Sequence, residues 1–549
     1  MDIINYTKKR FLVVEDQRPF LIMLRGLLNS LGAKSVAIAQ NAETALALCR
    51  KEKFDFIVSD IHLGQDKKNG YELIEELRAR KWVKPSSVML VISSDSTRHK
   101  VLGTIEKEPD DYLVKPFSQI QLKTRLNRAF HKRMELADVY NLIDEDDIEQ
   151  AINQSQDLLK GKLHYRNNCL KLLCSLYLRN EQYADAVALA ESVNAARPVK
   201  WAQVALARGL IGLEQPEPAI ALAEQLIESN RFYVEAFDIL ALAHTLQAEH
   251  EQALVDIKQA ISIAPLSMQR QYLAAQIGRV NGDREFAKEC CLAIWQISKR
   301  SMHRDVTHFS NYVRSLLDVA EHAEEKKVQN RYQQEALLTL QRSKRDDVFT
   351  RGDEQFDYSL FETIINARIS AIDGKSIQAK QLIEEAQIKI EENFSDFPLK
   401  LAADSILVMA DIGDFEEAEK LTRLLEDSDL EIDPNVQSML DEQAQDNERR
   451  EAYKVHNKTG IDAYRDGKYE TAAASFRAAQ LLAPVNIGVA LNLIQSLIKL
   501  LDMQRKPDSK LVKELRDVYK LVNSIPLRDM HQQKLDALTA DLKPYIENG

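Results

Sequence analysis

From residue 10 to about residue 130 the chain alternates short apolar runs with longer amphipathic ones. The runs RFLVVED, KSVAIAQ, FDFIVSD, SVMLVISS and DYLVKP are rich in Val and Ile and lack polar alternation. That pattern predicts strands buried on both faces of a parallel sheet. Between them PFLIMLRGLLNSLG, NAETALALCRKE, GYELIEELRARK, a weaker segment at Arg98–Glu108, and Ser118–Arg133 read as helices. Strand and helix alternating at this length predict a small doubly wound α/β domain. Beyond Lys132 the strand signal stops, and apolar residues recur three and four positions apart, as on helices with one buried face.

The helical text repeats. Val234–Ser267 carries Phe237, Leu240, Ala241, His244, Ala248, Ala253, Ile257, Ala260 and Pro265, and the next unit opens 34 residues on, at Met268, with Ala274, Ala275, Gly278, Gly282, Ala287 and Cys291 at the same offsets. Small residues such as Ala253 and Ala260 let two antiparallel helices approach closely, while larger ones fill the seam to the next unit. The pattern returns at His456–Pro484, and more weakly around Gly374 and Gly413. Residues 299–350 lack clean register, and residues 426–448 are acidic and poor in large apolar side chains. The predicted organisation is therefore an α/β domain at 1–133 and a helical, acidic connector at 134–165. A first repeat block at 166–298, an irregular helical insertion at 299–350 and a second block at 351–425 follow. An acidic linker at 426–448 and a terminal block with its cap at 449–549 complete it.

Composition changes this picture little. The chain has 549 residues, a formal charge of -11 and only 17 Gly and 14 Pro, which suits a long helical array better than a disordered linker. The acidic balance gives no long-range attraction for nucleic acid or anionic membrane. The basic run Lys123–Arg133 reads as the solvated face of a helix. The N-terminal apolar run is too short for a signal peptide or anchor, and no stretch is long enough to span a membrane, so a cytoplasmic location is expected. Cys49, Cys169, Cys174, Cys290 and Cys291 fit neither a disulfide framework nor a zinc site and read as buried thiols.

The chemistry gathers at the strand ends. Glu15 and Asp16 follow the first strand, Asp60 the third, Ser93 and Ser94 end the fourth, and Lys115, before Pro116, ends the fifth. Carboxyl ends of neighbouring parallel strands converge on one crevice. Three acids brought together there repel one another and call for a cation, and an all-oxygen ligand set suits Mg²⁺. A lysine and a hydroxyl opposite make a cradle for phosphoryl oxygens.

VVED, SD, ISS and VKPF at successive strand ends resemble the receiver domain of two-component response regulators, a flavodoxin-like fold with a five-stranded parallel sheet. The resemblance implies Asp60 as phospho-acceptor from a histidine kinase or phosphotransfer protein, with Lys115 as the phosphate-contacting lysine. It also implies Ser93 as the hydroxyl switch and Tyr112 as the aromatic whose rotamer follows it. Glu15, Asp16, Asp60 and the His62 backbone carbonyl would hold Mg²⁺. One departure is visible: in DIHLGQDKKNG, Gly64 stands where the family has Pro, and its Gly is delayed to Gly70. The loop is about two residues longer and carries Lys67 and Lys68, which bears on kinase recognition and phosphoryl lifetime. His62 and Asp95 flank the path of an attacking water.

The repeats resemble the tetratricopeptide family, an all-α solenoid that presents a face to a protein or peptide. His244, His250, His303 and His308 show no zinc spacing, and no separate catalytic motif is present. The expectation is a response regulator that acts through protein binding, with no enzymatic chemistry beyond its own phosphorylation and slow autodephosphorylation. A homodimer is compatible with it, and nucleic acid is not expected. The competing reading is a constitutive scaffold whose receiver serves for docking.

Overall fold

The computed structural model describes residues 4–64, 68–93, 109–299, 301–350, 355–429, 432–445, 447–504 and 507–546. The anticipated helix at Arg98–Glu108, together with Ser94, Asp95 and Lys67, lies outside the described residues. The chain divides into two compact units, Met1–Arg304 and Asp305–Gly549.

The first unit opens with β1 (Arg10–Val14), β2 (Ser35–Ala39), β3 (Phe56–Asp60), β4 (Val88–Ser93) and β5 (Asp111–Val114). All pair in parallel, in the order β2-β1-β3-β4-β5. β3 and β4 are buried along their whole length, which is why their sequences show no polar alternation. Successive side chains still separate by face. Leu12, Ile57, Met89 and Val91 pack with helices Ala42–Lys51 and Gly70–Ala79. Phe11, Val13, Val58, Leu90 and Ile92 pack with Leu24 and Leu28 of Arg18–Ser30, and with Leu122 and Leu126 of Gln119–Glu135. The sheet is thus covered on both sides.

Helix Gln119–Glu135 runs through buried Leu136 into Ala137–Asp144. The Glu135 carboxylate accepts the amides of His164 and Tyr165 at 2.8 and 2.7 Å, tying the end of the α/β domain to the start of helix Arg166–Arg179. From there, helices beginning at Arg166, Lys200, Val234 and Met268 start 34 residues apart, each followed by a partner helix. Ala253 and Ala260 are buried at such a helix contact, as close approach requires. The turn inside each pair is closed by a residue of left-handed φ: Glu181, Glu214, Ala248 and Gly282. Only the last is the residue type that adopts this conformation without steric cost.

The second unit is all α. Residues 299–350, irregular by sequence, contain two long helices, Val306–Glu321 and Lys326–Ser343, that pack on each other. The first opens 38 residues after Met268 rather than 34, and it is buried nearly all round, polar residues included. Arg314 accounts for the polarity. Its guanidinium donates to Asp404 at 2.8 Å, to Asn311 at 2.8 Å and to the Lys400 carbonyl at 2.9 Å. A buried charge is tolerated when it is paired and hydrogen-bonded in this way. The acidic stretch 426–448 likewise contains a helix, Pro434–Gln445. Among the described residues, no helix is long and apolar enough to cross a membrane.

Candidate functional site

Parallel pairing fixes the site. β1 and β3 align Val14 with Ser59, so the residues that follow, Glu15 and Asp60, sit side by side at one sheet edge. Glu15 and Asp60 are buried, Asp16 is exposed, and carboxylate oxygens of the three lie within 4.8 Å of one another. Lys115, one residue past β5, donates to Glu15 Oε2 at 2.8 Å and forms a close ion pair with Asp60 Oδ2. The His62 amide donates to Asp60 Oδ1 at 3.0 Å, so both oxygens of Asp60 are held. Ser93 is buried at the end of β4, and its carbonyl accepts the Lys115 amide at 2.8 Å. Tyr112 is buried on β5, in the same apolar cluster as Tyr71. His62 is exposed two residues beyond Asp60.

The charges explain the ionisation. Burial, followed by the neighbouring Asp60 charge, pushes the Glu15 carboxyl up to about 7, although the Lys115 hydrogen bond opposes the rise. Burial alone would lower Lys115, but its bonds to Asp60 and Glu15 outweigh it and raise its pKa. Three carboxylates share one lysine, a donor set short of positive charge and made only of hard oxygens. These residues therefore fit Mg²⁺.

Of two supporting residues, Phe20 was not anticipated, and the delayed Gly70 gains its physical reason. Phe20, at the start of helix Arg18–Ser30, places its ring 3.9 Å from Lys115 Nζ and packs edge-on against Phe117. Gly70 opens helix Gly70–Ala79, where Asn69 and Glu72 form a reciprocal cap. A Cβ at Gly70 would stand 2.1 Å from the Asp60 carbonyl oxygen. The delayed glycine is therefore demanded by close backbone approach, and the longer loop returns to the site at this point. Gly70→Ala is expected to displace the Asp60 backbone and cost about 1–3 kcal/mol. Thermal melts with and without Mg²⁺ and beryllofluoride test this, the variant losing most of the ligand-induced rise.

The basic run Lys123–Arg133 is not simply a solvated face. Arg125 and Arg128 pair with Asp111 at 3.1 and 2.6 Å. Arg133 is buried and donates to Asp110 at 2.6 Å. The acid doublet at the start of β5 neutralises the helix that follows the strand.

The family described as response regulator receiver domain matches residues 11–127. The N-terminal domain is a receiver domain. The chain is 33% identical over 144 residues to the alkaline phosphatase synthesis transcriptional regulatory protein PhoP of Bacillus subtilis, covering 26% of this chain and 57% of that protein. It is 28% identical over 132 residues to the chemotaxis protein CheY-3 of Vibrio cholerae, covering 24% of this chain and 99% of that one. A tetratricopeptide repeat protein from Parabacteroides merdae covers 53% of this chain at 13% identity with a TM-score of 0.28, too slight a likeness to assign the helical region. Receiver identity carries phospho-aspartate signalling with it, chemistry the domain performs on its own side chain rather than on a separate substrate.

Proposed function

We propose that the chain is a response regulator whose Asp60 takes a phosphoryl group from a histidine kinase or phosphotransfer protein. Its helical array, read as a tetratricopeptide-type solenoid, would act by binding a protein or peptide partner. The observation that carries the reading is Asp60 itself: a buried carboxylate at a strand end, held on one oxygen by the His62 amide and on the other by Lys115.

In this reading Asp60 attacks phosphorus in line, the new O–P bond forming as the bond from phosphorus to the donor breaks. The donor, an imidazole nitrogen in a phosphohistidine, leaves with the bonding electron pair. Lys115 gives up its bond to Asp60 and meets the incoming phosphoryl oxygens. Glu15, Asp16, Asp60 and the His62 carbonyl would hold Mg²⁺, which when bound supplies further positive charge to those oxygens. The acyl phosphate adds about 1.5 to 2 negative charges. Ser93 then turns toward them, Tyr112 follows, and the surface around β5 and the last receiver helix shifts between two populations. The array presents or withdraws its partner site in response, either within one chain or through a second copy.

Asp60→Asn tests the assignment. Incubated with acetyl phosphate and Mg²⁺, the wild-type chain is expected to gain a single hydroxylamine-labile phosphoryl group by intact mass, with acetate as the leaving group. The variant gains none while keeping its circular dichroism, and chelation of the metal reproduces the loss. Stable labelling of the variant would overturn the reading.

A further inference from the structure

Outside the receiver, the first unit carries a groove of about 730 Å³ between the start of helix Arg166–Arg179, the end of helix Tyr183–Ala196 and the start of helix Lys200–Gly212. Its floor is apolar, formed by Leu170, Val193 and the half-buried Trp201, and its rim carries Arg166, Arg197 and Lys200. No acid lines it. This is unusual in a chain of net charge -11.

The cations are not spent on neighbours. Among the described residues none of the three pairs with a carboxylate. Arg166 is anchored by donation to the Leu159 carbonyl at 2.6 Å, and Lys200 Nζ lies 5.6 Å from the Tyr233 ring centroid. Two helices begin here, and their N-cap residues Tyr165 and Val199 make no side-chain cap hydrogen bond. The start of helix Lys200–Gly212 carries partial positive charge that adds to the field of the side chains, whereas the Glu135 carboxylate already meets the amides leading into Arg166.

We infer that this groove is the docking site for an extended acidic peptide whose carboxylates flank an apolar side chain. The carboxylates would meet Arg166, Arg197 and Lys200, and the apolar side chain would lie over Leu170, Val193 and Trp201. Charge complementarity selects this occupant: an uncharged peptide would leave the three cations partly desolvated and unpaired. The inference rests on the protein-binding reading of the helical array and gives that reading a place and a partner chemistry.

The test uses the full chain and a fluorescein-labelled peptide in which leucine is flanked by aspartates. Saturable binding is expected in fluorescence polarisation, with the affinity falling at least tenfold in Arg197→Glu/Lys200→Glu. Replacing the leucine by serine should cost a further several-fold. Both substituted side chains are exposed, so the variant should keep wild-type circular dichroism and Asp60 phosphorylation. Binding indifferent to the charge reversal would overturn the proposal, as would equal binding of the leucine-free peptide. Tighter binding of a single-stranded oligonucleotide at the same residues would also overturn it. A chain that ignores the peptide yet still binds a partner through another face would remove the groove and leave the protein-binding reading standing.

Discussion

Asp110→Ala is expected to destabilise the receiver domain by about 3–5 kcal/mol, the cost of leaving a buried ion network without its anion. Asp110 sits immediately before β5 and accepts the Met89 amide at 2.8 Å, Arg78 at 3.1 Å and Arg133 at 2.6 Å. Arg133 continues to the Pro85 carbonyl at 2.9 Å and lies 3.9 Å from the ring of Tyr140, in the helix that leads out of the domain. Truncation strands the buried Arg133 guanidinium and the Met89 amide, and takes the carboxylate from the half-buried Arg78. Native-state hydrogen exchange of the β4 and β5 amides measures the loss directly. In Asp110→Ala/Arg133→Met the loss should be smaller than the two single losses combined, because the second change removes one stranded charge.

The pH dependence has a defined sign. Burial alone would raise the Asp110 carboxyl, but Arg133 and then Arg78 outweigh it and hold it below its ordinary value. A depressed folded pKa contributes stability that is fully present above the unfolded value of about 3.9. That contribution is lost as pH falls through the lower folded value. The difference between wild type and Asp110→Ala should therefore be constant at neutral pH and shrink in strong acid.

The same network shows what sequence could and could not disclose. Strand ends were legible because a parallel sheet gathers its carboxyl ends at one edge, so Glu15, Asp60, Ser93 and Lys115 could be placed from their positions after apolar runs. The partnership of Asp110 and Asp111 with Arg125, Arg128 and Arg133 was not, since it depends on which side of the last helix faces β5. The basic run consequently looked solvated. Arg314 and Asp404 are the same lesson in the second unit: the helix that carries Arg314 shows in its apolar spacing, but not that these two charges, 90 residues apart, are buried together. Phe20 beside Lys115 left no signal, because an aromatic residue on a helix reads first as core. Gly70 did leave one, in its displaced position, but the close approach to the Asp60 carbonyl required the fold.

Lys115→Ala separates two roles that the geometry allows this residue. Phosphoryl uptake from acetyl phosphate is expected to fall by about 10²–10³-fold, the usual cost of removing one charged donor from a developing anion. Lys115→Arg should recover only part of this, because a planar guanidinium cannot reproduce the point contact of an ammonium with Glu15 and Asp60. Mg²⁺ binding should respond in the opposite direction. Lys115 is the cation these carboxylates share, and removing it leaves Glu15 facing Asp60 with their repulsion unrelieved. A divalent cation then gains what the lysine gave up, so calorimetric Mg²⁺ affinity should hold or rise while phosphorylation collapses. Should Mg²⁺ affinity fall together with phosphoryl uptake, Lys115 would be organising the acids themselves, and the phosphoryl oxygens would need another donor.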